Sequence, residues 1–243
     1  MPRQVLFIYN DPVAPEALLG ETFTELGFDV DVFEVVPGNR IDDPAVDGVA
    51  FPDPTRYDVI VPLGSRWAVY DERLSRSWVP AEIETVRRAV DAGVGVLGVC
   101  FGGQLVATAL GGWVQRSNAP EIGWHEVHSS EADLVPHGPW FQWHFDRWTL
   151  PPGATEVARN DCASQAFVHG SAMALQFHPE LNHELLELWI ADDRDGDVER
   201  LGLRHDDLRA RTAVEVDDAA RRLRLLVRGF LDKVARVPLT ARG

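Results

Sequence analysis

The sequence predicts an α/β fold built on a central, mostly parallel sheet, with antiparallel strands added later and a helical C-terminal extension. Residues 4–9, QVLFIY, form a nearly continuous apolar run, the mark of a strand covered on both faces. Strand-like and helix-like segments then alternate as far as Cys100, with Gly27 and Gly93 closing the first two helix-like ones. After Gly112 the style changes to short alternating segments joined by Pro, Gly, Asn and Asp, so hairpins replace crossovers.

Taken in order, residues 15–26 read as a helix, and residues 28–33 alternate with period two as a strand, completing one βαβ unit. A loop rich in Pro, Gly and Asp covers 37–54, a strand 57–63 and a second loop 64–80. Ile83, Val86 and Val90 give residues 81–92 helical spacing, and the apolar strand 94–99 delivers Cys100 to a helix over 104–110. Short strands are expected at 127–129, 155–158, 165–168 and 173–177, and a helix at 183–191. A charged turn over 192–197 precedes a last helix with the apolar stripe Val216, Ala220, Leu223, Val227, Phe230 and Val234, whose arginines are expected on a solvated face. The chain is divided into a domain over 1–192 and a helical extension over 193–243 packed on it.

The 243 residues suffice for one large α/β domain with a substantial core. With 23 basic and 38 acidic residues the formal charge is −15, which repels phosphate backbones and anionic membrane surfaces. That argues against nucleic acid or membrane as a partner. Two cysteines, no CxxC pair, no signal-like leader and no membrane-length apolar run read as a cytoplasmic protein with reduced thiols. Neither histidine spacing nor carboxylate clustering suggests a metal, and no cofactor is expected.

In Gly98-Val99-Cys100-Phe101-Gly102-Gly103-Gln104 one thiol sits at a glycine-flanked corner between strand and helix, where a nucleophile gains from the unpaired amides of the helix start. The glycines would permit a tight backbone and close approach of substrate. In Gln176-Phe177-His178-Pro179-Glu180 a histidine ends another strand, and Pro179 biases it to extended backbone. Glu180 would orient the imidazole, so Cys100, His178 and Glu180 together suggest a triad. His144 and Asp146, in an aromatic stretch with Trp140, Trp143 and Trp148, read as structural, and Cys162 as incidental.

These two motifs resemble the nucleophile and base motifs of the class I, or Cys-His-Glu triad, glutamine amidotransferases. The likeness runs over roughly residues 4–190 and is strongest to the amidotransferase domain of GMP synthetase and its stand-alone relatives. Glu121-Ile122-Gly123-Trp124, Trp143-His144-Phe145-Asp146 and Gln165-Ala166-Phe167 also resemble segments of that subgroup. The resemblance implies a flavodoxin-like three-layer sandwich and a mechanism in which Cys100 attacks a γ-glutamyl amide, His178 moves the proton to ammonia, and water hydrolyses the thioester. Amides of Phe101 and of the loop at Gly64 and Ser65 would hold the oxyanion. Gln104 would contact the glutamyl group, and Gly123 with Trp124 would edge the same pocket. The family loop reads Gly-Gly-Pro where this chain has Gly64-Ser65-Arg66, a departure that removes a glycine and adds a cation.

Three functions follow. The first is a glutamine amidotransferase subunit or stand-alone glutaminase passing ammonia to a synthetase partner. The second is a γ-glutamyl hydrolase acting on glutathione-like peptides or γ-glutamyl amines, with Arg66 meeting a second substrate carboxylate. The third is a binding module that keeps the fold, against which the three triad residues tell.

Overall fold

The computed structural model describes residues 3–238. Its elements are β1 (Arg3–Tyr9), α1 (Ala17–Glu25), β2 (Phe28–Glu34), β3 (Val59–Pro62), α2 (Glu72–Ser75), α3 (Val79–Asp91), β4 (Gly95–Val99), α4 (Phe101–Ala109), β5 (Val114–Ser129), β6 (Gly138–Trp148), β7 (Thr155–Arg159), β8 (Ser164–His169), β9 (Ala172–Leu175), α5 (His183–Ala191), α6 (Asp197–Arg200) and α7 (His205–Gly229). The strands form one sheet in the order β2-β1-β3-β4-β9-β8-β7-β5-β6. From β2 to β9 every neighbouring pair is parallel, and from β9 to β6 every pair is antiparallel. Residues 1–2 and 239–243, which the predicted division of the chain includes, lie outside the described residues.

Alternation along the central strands splits the core between the two faces. Val5 and Phe7 of β1 join Val59 and Val61 of β3 and Leu97 and Val99 of β4 under Leu19 and Phe23 of α1 and Leu223, Leu226 and Val227 of α7. Leu6, Ile8, Ile60 and Val96 face the other way, under Val79, Val86 and Ala89 of α3 and Leu105 and Val106 of α4. Each fully buried side chain of this kind contributes roughly 1.5–3 kcal/mol, which is why the parallel strands are apolar on both faces. The result is the expected three-layer sandwich, with α7 and the following turn Phe230–Val234 built into one of its two cores.

Four details differ from the sequence expectation. Helix α4 starts at Phe101, immediately after Cys100, and α3 starts at Val79 rather than 81, with the short α2 inside the 64–80 loop. The long hairpin of β5 and β6 replaces the single short strand expected at 127–129. Its first arm carries polar residues on both faces before Pro120, and the register shifts between Arg116 and Glu121, so no period-two signal reaches the sequence there. Finally, Arg222 is not on a solvated face: it is buried, donates to Pro139 O, pairs with Asp218, and lies 5.1 Å from the Trp140 ring centroid. Among the described residues no helix is long and apolar enough to cross a membrane.

The core also contains a carboxyl. Glu82 in α3 is completely buried, and burial pushes it up to about 8 against the opposing effect of the Asn10 side chain. An unfolded glutamate releases its proton near 4.5, whereas folded Glu82 keeps it to about 8, so the folded state binds more protons across that window. Stability contributed at this position therefore falls as pH rises from 4.5 to 8. Glu82→Gln should remove that slope, and urea titrations on either side of the window should show the variant gaining, relative to wild type, on the order of a few kcal/mol at the alkaline end.

Candidate active site

The parallel strands end where a cavity of about 430 Å³ opens, lined among others by Ser65, Arg66, Cys100, Gln104, Trp143 and His178. Ligands of open α/β sheets collect at the carboxyl ends of strands, and β3, β4 and β9 each deliver a functional segment there. Strand β4 delivers Cys100 at φ +51° and ψ −109°, a conformation that costs a non-glycine residue on the order of 1–3 kcal/mol. Surrounding bonds hold it: Cys100 N–H donates to Leu175 O at 2.7 Å, and Cys100 O accepts from Gln104 N–H at 2.9 Å.

The strain thus sits on the cysteine, not on the glycines around it. Those glycines serve close packing. An added Cβ at Gly98 would stand 2.5 Å from Gly102 O, one at Gly102 1.9 Å from Pro62 O, and one at Gly103 2.6 Å from Leu175 O. Cys100 is the N-cap residue of α4, where unpaired backbone amides favour negative charge.

After β9 the chain passes Gln176 and Phe177 to His178, whose N–H donates to Phe141 O at 2.8 Å on β6. The His178 ring lies 4.7 Å from Trp189, edge to face, and its Nδ1 is 2.7 Å from Glu180 Oε1. Both side chains are almost wholly buried. Burial alone would depress the imidazole, but the charges of Glu180 and Cys100, with hydrogen bonds to both, push it up to about 10. The charges of Glu180 and Cys100 thus favour the protonated ring of His178. Gln176 Nε2 lies 3.9 Å from Cys100 Sγ, a contact that no sequence pattern announces.

The loop expected to hold the oxyanion follows β3. The glycine it requires is Gly64, where a Cβ would come 3.0 Å from His178 Cε1. Ser65 has no left-handed backbone, so the family's second glycine is not needed for conformation here, and its hydroxyl accepts from Trp67 N–H at 3.1 Å. Arg66 is exposed and lines the cavity, with its guanidinium held by two carboxylates: Nε is 2.8 Å and Nη2 3.2 Å from the two oxygens of Asp11, and it also pairs with Asp192. Arg66→Ala would leave the buried Asp11 without its cation. The expected result is a loss of about 1–3 kcal/mol in urea denaturation, with activity affected alike for every γ-glutamyl substrate.

Gln104, predicted to touch the glutamyl group, does line the cavity, with Nε2 3.5 Å from Asp146 O and from Gln176 Oε1. Gly123 and Trp124 do not line it. Trp124 packs edge to face on Phe141 and donates to Thr212 Oγ1 of α7 at 2.9 Å. Their place in the wall is taken by β6, through Trp143, His144, Phe145 and Asp146. His144 bridges Glu121 Oε2 at 3.1 Å and Asp146 O at 3.0 Å, and Asp146 accepts from Tyr70 Oη at 2.7 Å, so residues read as structural are both structural and cavity-lining. Cys162 is half-buried beside Glu121, and burial and that carboxylate push its thiol up. Among the described residues no group of three or more His, Cys, Asp or Glu is placed to hold a metal ion.

A family model described as "Glutamine amidotransferase class-I" matches residues 57–192, the span that holds Gly64, Cys100, His178 and Glu180. The chain belongs to the class I glutamine amidotransferases. Among relatives of this amidotransferase family, a glutamine amidotransferase-like protein of Penicillium rubens is 30% identical over 190 residues, covering 70% of this chain and 77% of that protein. A glutamine-hydrolysing GMP synthase subunit from Sulfolobus acidocaldarius is 29% identical over 137 residues, 52% of this chain and 69% of its own. The GMP synthase of Aeropyrum pernix is 33% identical over 47% of this chain, a match that spans only 25% of that longer protein. A glutamine amidotransferase from Thermotoga maritima superposes with a TM-score of 0.82 at 25% identity, over 96% of this chain and 100% of its own.

Proposed function

We propose that this amidotransferase chain hydrolyses the side-chain amide of glutamine through a thioester on Cys100. The observation that carries the reading is the strained Cys100 elbow sharing one cavity with a buried His178 that is bonded to Glu180. The sulfur attacks the amide carbon, and backbone amides of Phe101 and Ser65 receive the developing oxyanion. His178, protonated beforehand, gives its proton to the departing nitrogen as the C–N bond breaks, releasing ammonia. Neutral His178 then takes a proton from water, whose oxygen attacks the thioester, and collapse releases glutamate and restores the sulfur. Glu180 keeps the ring oriented and offsets its charge throughout.

One observation supports the second reading, a γ-glutamyl hydrolase of larger substrates: the cavity continues past Cys100 and His178 to Arg73, Arg116 and Asp197. Glutamine, glutathione and γ-glutamyl amines, incubated separately with the protein, should separate the two. Glutamate release from glutamine, rising when an ammonia-accepting synthetase is added, supports the first; release from the larger substrates alone transfers the assignment to the second. No release from any of them would overturn both. The Sulfolobus relative is named as one subunit of its synthase, which is what brings a synthetase partner into the test.

A further inference from the structure

Three segments stand out by resemblance between the two motifs, around Glu121, His144 and Gln165, and the proposed chemistry uses none of these side chains. They lie on separate strands, β5, β6 and β8, and the fold brings them into one buried cluster. Glu121 Oε2 accepts from Gln165 Nε2 at 3.1 Å and holds His144 Nε2 at 3.1 Å. Its Oε1 accepts from Asn160 Nδ2 at 2.7 Å and lies 3.3 Å from His125 Nδ1. One carboxyl thus anchors the His144 ring.

The other ring nitrogen of His144, Nδ1, lies 3.0 Å from Asp146 O, and because a carbonyl oxygen can only accept, that nitrogen carries a hydrogen. The same carbonyl accepts from Gln104 Nε2 at 3.5 Å. Only the NH2 end of a side-chain amide can face a carbonyl, so Gln104 is fixed one way round, and its second hydrogen is directed at Gln176 Oε1, also at 3.5 Å. Gln176 is fixed in turn. With its oxygen on Gln104, its Nε2 points at Cys100 Sγ, 3.9 Å away. Both amides are buried, so neither can turn over without setting donor against donor or acceptor against acceptor.

Two other groups reach the sulfur: Trp143 O, to which the thiol donates at 3.9 Å, and His178. The carbonyl can only accept the thiol proton. The Gln176 N–H, by contrast, meets the negative charge that the sulfur carries as it attacks and again as it leaves the thioester.

We propose that Glu121 and His144 are positioning residues for the nucleophile: by placing Asp146 O they orient Gln104 and Gln176, so that Gln176 donates its Nε2–H to the sulfur of Cys100. This relay rests on the nucleophile role given above to Cys100. Gln176 touches the reacting sulfur, and Glu121 and His144 act through it.

Alkylation of Cys100 by iodoacetamide requires the sulfur but no glutamine, so it reads the relay apart from the proposed reaction. Gln176→Met, similar in length and without a donor, should slow alkylation at neutral pH about tenfold and lower kcat for glutamate release by at least as much. At His144 the two ring nitrogens can be replaced one at a time. Asparagine puts an amide nitrogen near the place of Nδ1 and keeps the bond to Asp146 O, whereas glutamine reaches the place of Nε2 and keeps the bond to Glu121. His144→Asn should therefore lose less than about threefold in alkylation rate and kcat, and His144→Gln about tenfold or more. A histidine needed only to satisfy the buried Glu121 predicts the reverse order. That order, an equal loss in the two variants, or a wild-type alkylation rate in Gln176→Met overturns the relay.

A measurement on the unaltered protein covers the case in which a variant fails to fold. In nitrogen-15-labelled wild type, the side-chain NH2 protons of Gln176 should give a nuclear Overhauser contact to the β-protons of Cys100. A Gln176 NH2 group without that contact removes the relay whatever the activity. A wild-type protein that releases no glutamate, yet has the contact and the alkylation order, keeps the relay and loses the proposed reaction.

Discussion

His178→Ala and Cys100→Ala are each expected to bring glutamate release to background, a fall on the order of 10⁴–10⁶ in kcat, with the fold retained. The magnitude follows from how the three groups depend on one another. Without the imidazole there is no proton for the departing nitrogen, and without the sulfur the positioned imidazolium has nothing to serve. Glu180→Gln should lose roughly one to two decades less, because the amide oxygen can still accept from His178 Nδ1 at the observed 2.7 Å while the neutralising charge is gone. A glutamine-like chloroketone should label Cys100 and spare Cys162, whose thiol is pushed up by burial and by Glu121. Peptide mapping decides it: equal labelling of the two cysteines would show that the elbow confers no activation, and wild-type-like turnover in His178→Ala would remove the mechanism.

The parts of this site legible in the sequence are those set by short-range pattern. An apolar strand ending at Cys100 and a helix closed by Gly111-Gly112 predict the elbow, and Pro179 after His178 predicts an extended strand end. What pattern does not disclose is what long-range pairing creates. The β6 wall is hidden because both faces of Trp140-Phe141-Gln142-Trp143 carry bulky groups, so alternation gives no inside and outside. Trp124 reads as a pocket residue by resemblance alone, because its bond to Thr212 of α7 spans 88 residues and has no local signature. Arg66 reads as a substrate contact because its partners, Asp11 and Asp192, stand far from it along the chain. Asp11 does have a signal: it follows the carboxyl end of the first parallel strand, where α/β sheets place ligand-handling residues.

Gly102→Ala is expected to cost more stability than any other single methyl added to the elbow, on the order of 4 kcal/mol or more, and to give largely insoluble protein. Overpacking in a core usually costs about 1–3 kcal/mol because a side chain can rotate aside. Here the obstacle is backbone. The new Cβ would stand 1.9 Å from Pro62 O and 2.4 Å from Pro62 C, on a strand bonded to β1 and β4 on either side. The only relief is for α4 to move off β3, which breaks the Gly102 N–H to Leu63 O bond and pulls Cys100 away from the loop it must face. Gly64→Ala should behave differently, because its 3.0 Å neighbour is His178 Cε1, a side-chain atom that can shift: this variant should fold and lose activity. Gly38→Ala, whose nearest neighbour is Pro12 Cβ at 4.0 Å, should stay within about 0.5 kcal/mol of wild type. Urea midpoints and glutamate release measured on the three variants separate the cases. A soluble Gly102→Ala protein with a wild-type midpoint would mean that α4 does not lie against β3 as closely as the structure places it.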